Sequence, residues 1–232
     1  MKKILVVCIA LLCLGTLAFA DSFVVFNTRA DQNPTDIIDW GQLGAPGTIV
    51  PSPTNVSSFG GLNATVAVAG PNMVAMQQGV TWNGNFDFGE NLLWTGNPNF
   101  IPGTGPGPIT INFAHGVSSV GFAISSDFFG AFTATLQVYG SGGLLDTLTE
   151  SGVSSPNGDG SALFMGLGDL SGANITKIVI SEIDANATND FAIDAVSITT
   201  GGGQTVPEPS SIALLGSGLL TMAGVLRRKL AR

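Results

Sequence analysis

The stretch AFTATLQVY at residues 131–139 alternates strictly, with Phe132, Ala134, Leu136 and Val138 on one side and Thr133, Thr135, Gln137 and Tyr139 on the other. Successive side chains of a strand point to opposite faces, so this pattern fits a half-buried β-strand and not the apolar stripe of a helix. ITINF (109–113) repeats it, as does the series Val120, Phe122, Ile124, and Gly140 to Gly143 supply a hairpin loop into LLDTLT (144–149). Further strands are expected in FVVF (23–26), ATVAVA (64–69), ALFMGL (162–167), ITKIVISEI (175–183) and FAIDAVSIT (191–199). No helical period of useful length precedes the tail. Many short strands with turn signals between them predict an all-β fold, an antiparallel β-sandwich built on one core.

Both ends carry a different kind of signal. Lys2 and Lys3 precede an apolar run from Ile4 to Leu17, and Ala18-Phe19-Ala20 forms a small-residue cleavage site, the pattern of a signal peptide over residues 1–20. The exported chain then begins at Asp21. Cys8 and Cys13 both fall within the removed segment, so the remainder has no thiol for a disulfide or a metal. At the other end a Gly-rich linker (201–206) leads to Pro207-Glu208-Pro209, stiffened because each proline restricts itself and the residue before it. Ile212 to Leu226 is apolar or small throughout, shorter than the ~20 residues a helix needs to cross a bilayer core, and Arg227 and Arg228 beyond it can reach the headgroups. Residues 21–200 are thus expected as the sandwich, and 207–232 as a short membrane-crossing anchor with a cytoplasmic basic end.

Charge narrows the partners. Between the signal and the tail only Arg29 and Lys177 are basic, against fifteen acidic residues, a net charge of −13 over residues 21–205. Nucleic-acid affinity rests on lysines and arginines displacing counterions, so nucleic acid is excluded as a partner, whereas divalent cations are attracted.

The order of proline triplet, apolar span and arginines, coupled to a signal peptide, resembles the PEP-CTERM sorting signal of Gram-negative bacteria. In that resemblance Pro207, Glu208, Pro209, Arg227 and Arg228 are the signature residues. It implies recognition by an exosortase, transient residence in the inner membrane, and delivery to the cell surface, outer membrane or extracellular matrix. Within the sandwich, DIIDWGQLG (36–44), GENLLWT (89–95), GVSSVGFAIS (116–125), GAFTATLQVYGSGG (130–143), SALFMGL (161–167) and NDFAIDAVSI (189–198) are similar to segments of a jelly-roll-like domain common among PEP-CTERM proteins. The resemblance implies a structural or binding module of the exopolysaccharide layer, the alternatives being a lectin-like carbohydrate-binding module or a glycan-active enzyme.

Candidate chemistry is sparse. His115, in FAHGV, has neither a second histidine nor a G-x-S-x-G elbow to build a triad with. Asp87 and Glu90 are the best carboxylate pair by spacing, but on a strand they would face opposite ways. No catalytic residue is assigned. Trp82, beside a turn in TWNGN, is the ring expected at the surface and the candidate for stacking on sugar rings; Trp94, after two leucines, is expected in the core. SEIDANATNDFAID supplies Glu182, Asp184, Asn186, Asn189, Asp190 and Asp194, oxygen donors of the kind calcium prefers. Asp194 shares its parity with Ala192, Val196 and Ile198, so a carboxylate among apolar neighbours needs a cation or hydrogen-bond donors. Several jelly-roll sugar-binding families hold a structural calcium with a similar late-strand aspartate, and by that resemblance Asp184, Asp190 and Asp194 are the candidate metal ligands. Solvated loop acids are the alternative reading.

Overall fold

The computed structural model describes residues 23–96 and 105–201. The signal peptide with Ala18 and Ala20, the linker beyond Gly201, and the tail with Pro207, Glu208, Pro209, Arg227 and Arg228 lie outside the described residues. Among those described, no helix is long and apolar enough to cross a membrane.

The first seven strands are β1 (Phe23–Phe26), β2 (Asp36–Ile38), β3 (Thr48–Pro51), β4 (Thr54–Ser57), β5 (Asn63–Ala67), β6 (Asn72–Gln77) and β7 (Asn91–Trp94). The long central strands follow: β8 (Ile109–Val117), β9 (Ser119–Ser126), β10 (Gly130–Gly140), β11 (Gly143–Ser154), β12 (Leu163–Asp169) and β13 (Ile175–Asp184). Two short strands, β14 (Phe191–Ile193) and β15 (Val196–Thr199), end the series. They form two antiparallel sheets face to face. One runs β11-β10-β13-β8-β5-β4; the other runs β1-β12-β9-β14-β7-β6-β3, with β15 also on β9 and β2 beyond it.

Alternation decides the interior. Phe132, Ala134, Leu136 and Val138 of β10 are all buried, as are Ile109, Ile111 and Phe113 of β8 and Val120, Phe122 and Ile124 of β9. These meet Trp40, which is fully buried, and form one continuous core between the sheets. The expected hairpin is present, with β10 and β11 paired from Gly140↔Gly143 to Gly130↔Ser154.

Among the described residues helical structure is confined to single turns. Thr28 caps the turn α1 (Arg29–Gln32), its hydroxyl accepting from the Asp31 N–H at 3.0 Å, and the turn ends at Asn33 in the left-handed region. The cap fixes where Arg29 leaves the backbone.

The expected strand 191–199 is broken. β14 pairs with Ser126 to Ile124 of β9 and β15 with Gly121 to Ser119 of the same strand, while Asp194 and Ala195 stand between. From Ile193↔Ile124 to Ser197↔Gly121 the chain takes one step more than β9, and this one extra residue reverses the parity, as at a β-bulge. Phe191, Ile193, Val196 and Ile198 therefore face the main core together, whereas Ala192 faces the opposite side of the sheet. The expected common face of Ala192, Asp194, Val196 and Ile198 does not exist.

Candidate functional site

Segment 78–90 folds across the outer face of the nine-stranded sheet. The Gln78 side-chain amide closes it, donating to the Gly84 carbonyl at 2.8 Å and accepting from the Gly84 N–H at 3.2 Å. Trp82 is thereby pressed onto Trp94, with ring centroids 5.9 Å apart at 60°, in a second apolar cluster with Val74, Met76, Phe86, Leu92 and Ala192. Trp82 is only 5% exposed, which corrects its expected place as a surface stacking ring. The turn beside it does not project into solvent; it lies on the sheet. A Cβ at Gly84 would collide with the indole Nε1, so this glycine is what lets the ring lie flat. That Nε1 is buried and has no hydrogen-bond partner.

A recess of about 300 Å³ opens beside this cluster, lined by Met76, Trp82, Asn83, Trp94, Asp127 and Phe129. The exposed ring here is Phe129, at 52%. Sequence reasoning missed it, although the apolar pair Phe128-Phe129 ahead of Gly130 was a visible oddity in a polar turn.

Asp127, on the recess wall, belongs to a group of four interacting carboxyls with Asp184, Asp190 and Glu182. Asp190 is fully buried and accepts from Trp94 Nε1 at 2.9 Å. Asp127 donates its N–H to the Asp190 carbonyl at 2.9 Å, and burial, reinforced by Asp190 and Asp184, pushes its carboxyl up to about 6. Asp184 accepts from the Ser126 hydroxyl at 2.6 Å and from the N–H groups of Asn186 and Ala187 at 2.5 and 2.7 Å, closing the turn after β13. Glu182 faces inward beside Ile178 and Ile180, 2% exposed, with both carboxyl oxygens lacking a hydrogen-bond partner. Burial first, then Asp184, pushes it up to about 8, with the nearby Ser126 hydroxyl and the Asp190 backbone opposing.

Asp194 is held elsewhere. Its Oδ2 is 2.7 Å from Arg29 Nη2, its Oδ1 accepts from the Ala123 N–H at 2.6 Å, and its carbonyl accepts from Trp40 Nε1 at 2.7 Å. Arg29 also donates to the Ala195 carbonyl at 3.0 Å. Burial raises the carboxyl to about 7, the Arg29 charge opposing. The cation and donors that the sequence demanded for Asp194 are thus protein groups. Asp184 and Asp190 share a neighbourhood that Asp194 does not enter, and among the described residues no group of three or more His, Cys, Asp or Glu is placed to hold a metal.

Comparison with known proteins decides one point. The chain carries a PEP-CTERM protein-sorting motif at residues 205–229. The match concerns the tail and not the sandwich. No curated protein sequence matches the chain. Among solved structures, a glycoside hydrolase family 43 arabinoxylan arabinofuranohydrolase from Bacillus subtilis, in complex with cellotetraose, is 14% identical at a TM-score of 0.24 over 66% of this chain and 24% of that one. The enzymatically active domain of Bacteriophage CBA120 tailspike protein 4 is 12% identical at 0.25 over 65% of this chain and 19% of that one. Scores this low carry no argument about this chain.

The remaining expected groups are placed as follows. His115 lies exposed on β8. Asp87 and Glu90 belong to a turn, not a strand, with the Glu90 N–H donating to the Asp87 carbonyl at 3.2 Å; burial, then Asp87, raises the Glu90 carboxyl. The PEP-CTERM motif marks an exosortase-sorted surface protein, and the Asp184, Asp190 and Asp194 carboxyls are engaged in holding a turn, a ring and a strand break respectively.

Proposed function

We propose that this chain is an exported structural or binding module of the exopolysaccharide layer, released to the surface or matrix after an exosortase removes its tail. The observation that carries the reading is the sorting motif, which begins six residues after the last strand ends at Thr199. A stable sandwich is thereby delivered with no covalent link to the membrane once the tail is cut. The net charge of −13 over residues 21–205 supports a non-nucleic-acid partner. The recess beside Phe129, with aromatic walls and a carboxyl, supports binding over catalysis, because polar groups set around aromatic surface orient a ligand. Mass spectrometry of surface material from the native host is expected to find chains ending near Pro207 to Ser210. Recovery only of chains ending at Arg232 overturns the proposal.

A further inference from the structure

The outer face of the six-stranded sheet differs in chemistry from the rest of this acidic molecule. Outward positions alternate with the buried ones, and register aligns Asn55 with Thr65, Thr65 with Asn112, Asn112 with Lys177, and Lys177 with Tyr139. One straight row of hydrogen-bonding side chains therefore crosses five strands, about 19 Å at the ~4.8 Å spacing of paired strands. The flanking rows add Ser57 and Asn63 on one side, and on the other Thr110 and Gln137 to either side of Val179. None of the outward positions of β4, β5, β8, β10 and β13 carries a carboxylate. At the β4–β5–β8 end the face sinks into a trough of about 560 Å³, where the amides and hydroxyls of Gln42, Asn55, Ser57, Asn63, Thr65 and Asn112 stand among apolar lining from β4, β5 and β8.

The amides are set for a ligand. Asn55 Oδ1 accepts from the Thr65 hydroxyl at 3.1 Å and Asn63 Oδ1 from the Ser57 hydroxyl at 2.8 Å. Each bond orients its amide and leaves the two N–H groups of Nδ2 as donors beside the remaining acceptors. Lys177 is turned onto the Tyr139 ring, its Nζ 3.8 Å from the centroid. The ring holds the ammonium at one end of the row, so the rest of the row presents uncharged donors and acceptors.

We infer that this trough and row form a binding face for a neutral polysaccharide chain. Sugar hydroxyls are at once donors and acceptors, as amides are. A charged polymer has no matching partner: anions meet one lysine already on an aromatic ring, and cations meet no carboxylate. The absence of carboxylates from this one face, in a domain of charge −13, is what selects the neutral chain over a second copy of the protein or an ionic polymer. The inference deepens the reading of the chain as an exopolysaccharide module and rests on it only for the source of the ligand.

The full-length chain, purified in non-ionic detergent, is run in native gels containing dextran, hydroxyethylcellulose or galactomannan, and in gels containing alginate. Retardation is expected in at least one neutral gel, unchanged between low and high salt. Joint replacement of Asn55, Asn63 and Asn112 by Ala is expected to weaken it at least about ten-fold with an unchanged thermal midpoint, since exposed amides contribute hydrogen bonds but no core. The isosteric Asn112→Asp, which removes two donors without altering shape, is expected to weaken it as well. Migration unaffected by all three neutral polymers overturns the inference, as does equal retardation of the wild-type and triple variant. Salt-sensitive retardation by alginate alone overturns it too, and a dimer in sedimentation that the triple variant dissolves gives the face to a second copy instead. Tail cleavage in the host is read separately, so a chain that is sorted but binds nothing defeats this inference and leaves the sorting proposal standing.

Discussion

Asp194 and Ala123 are joined twice: the Asp194 N–H donates to the Ala123 carbonyl at 3.0 Å, and the Ala123 N–H donates back to Asp194 Oδ1 at 2.6 Å. The side chain thus supplies the acceptor that a ladder carbonyl supplies elsewhere, at the point where β14 and β15 part. This lets one stretch of chain change parity on β9 without orphaning a buried N–H, which would cost about 1–3 kcal/mol.

Asp194→Ala removes that acceptor and leaves Arg29 without its carboxylate. Breaking a buried pair costs ~3–5 kcal/mol, and the lower end applies here because the Arg29 side chain is 30% exposed. Asp194→Asn keeps an acceptor for Ala123 and is expected to fall between wild type and Asp194→Ala. Denaturant unfolding at pH 8, above the raised Asp194 value of about 7 so that the carboxylate is charged, measures the order. A loss below about 0.5 kcal/mol in Asp194→Ala, the level of an ordinary surface change, refutes the role.

Trp82→Ala is expected to cost ~3–5 kcal/mol, the loss typical of a large aromatic in a core. Phe129→Ala, at the exposed wall of the same recess, is expected to leave stability within about 0.5 kcal/mol of wild type. Thermal unfolding of the pair separates the two. Equal effects would mean that segment 78–90 does not cover the sheet.

What could be read from the sequence follows from which signals survive folding locally. β10 was legible because its Thr and Gln face water while Phe132, Leu136 and Val138 face the core. β6 (NMVAMQ) was not, because segment 78–90 covers its outer side, so Met73, Val74, Ala75 and Met76 are all buried and no alternation remains. The same covering hid the burial of Trp82. The reach of Arg29 to Asp194 spans 165 positions, and no local pattern announces it. Glu182 was visible only as one acid in a cluster; its inward direction followed from the parity of Ile178 and Ile180. The tail needed no folding to be recognised, since its signal is a linear order of residues.

Calcium offers a direct check on Asp194. Its oxygens are occupied by Arg29 and the Ala123 N–H, so whatever calcium does to the thermal midpoint, relative to sodium at equal ionic strength, is expected to be the same in Asp194→Asn as in wild type. A response present in wild type and abolished by Asp194→Asn restores the aspartate as a metal ligand.

The carboxyls raised in the folded state set a pH dependence of unusual sign. Asp127, Asp194 and Glu182 rise to about 6, 7 and 8 from ordinary values of 3.8, 3.8 and 4.5, burial being the first cause in each. The native state therefore binds more protons than the unfolded state between the ordinary and the raised values, and unfolding free energy falls as pH rises through that window. Asp159, drawn down by Ser161, and Asp36, where hydrogen bonds from Ser58, Gly60 and Ile37 outweigh burial, act only at more acid pH. The protein is accordingly expected to be more stable at pH 5 than at pH 8, each proton contributing at most ~1.4 kcal/mol per pH unit. Between pH 7 and 8 most of the slope belongs to Glu182, the highest of the three, with Asp194 supplying the remainder. Glu182→Gln keeps the shape and removes the proton, so it is expected to flatten this last segment and to raise stability at pH 8. Urea unfolding of both proteins across pH 5 to 8 measures it; a wild-type stability that stays level or rises with pH would show that Glu182 ionises in place.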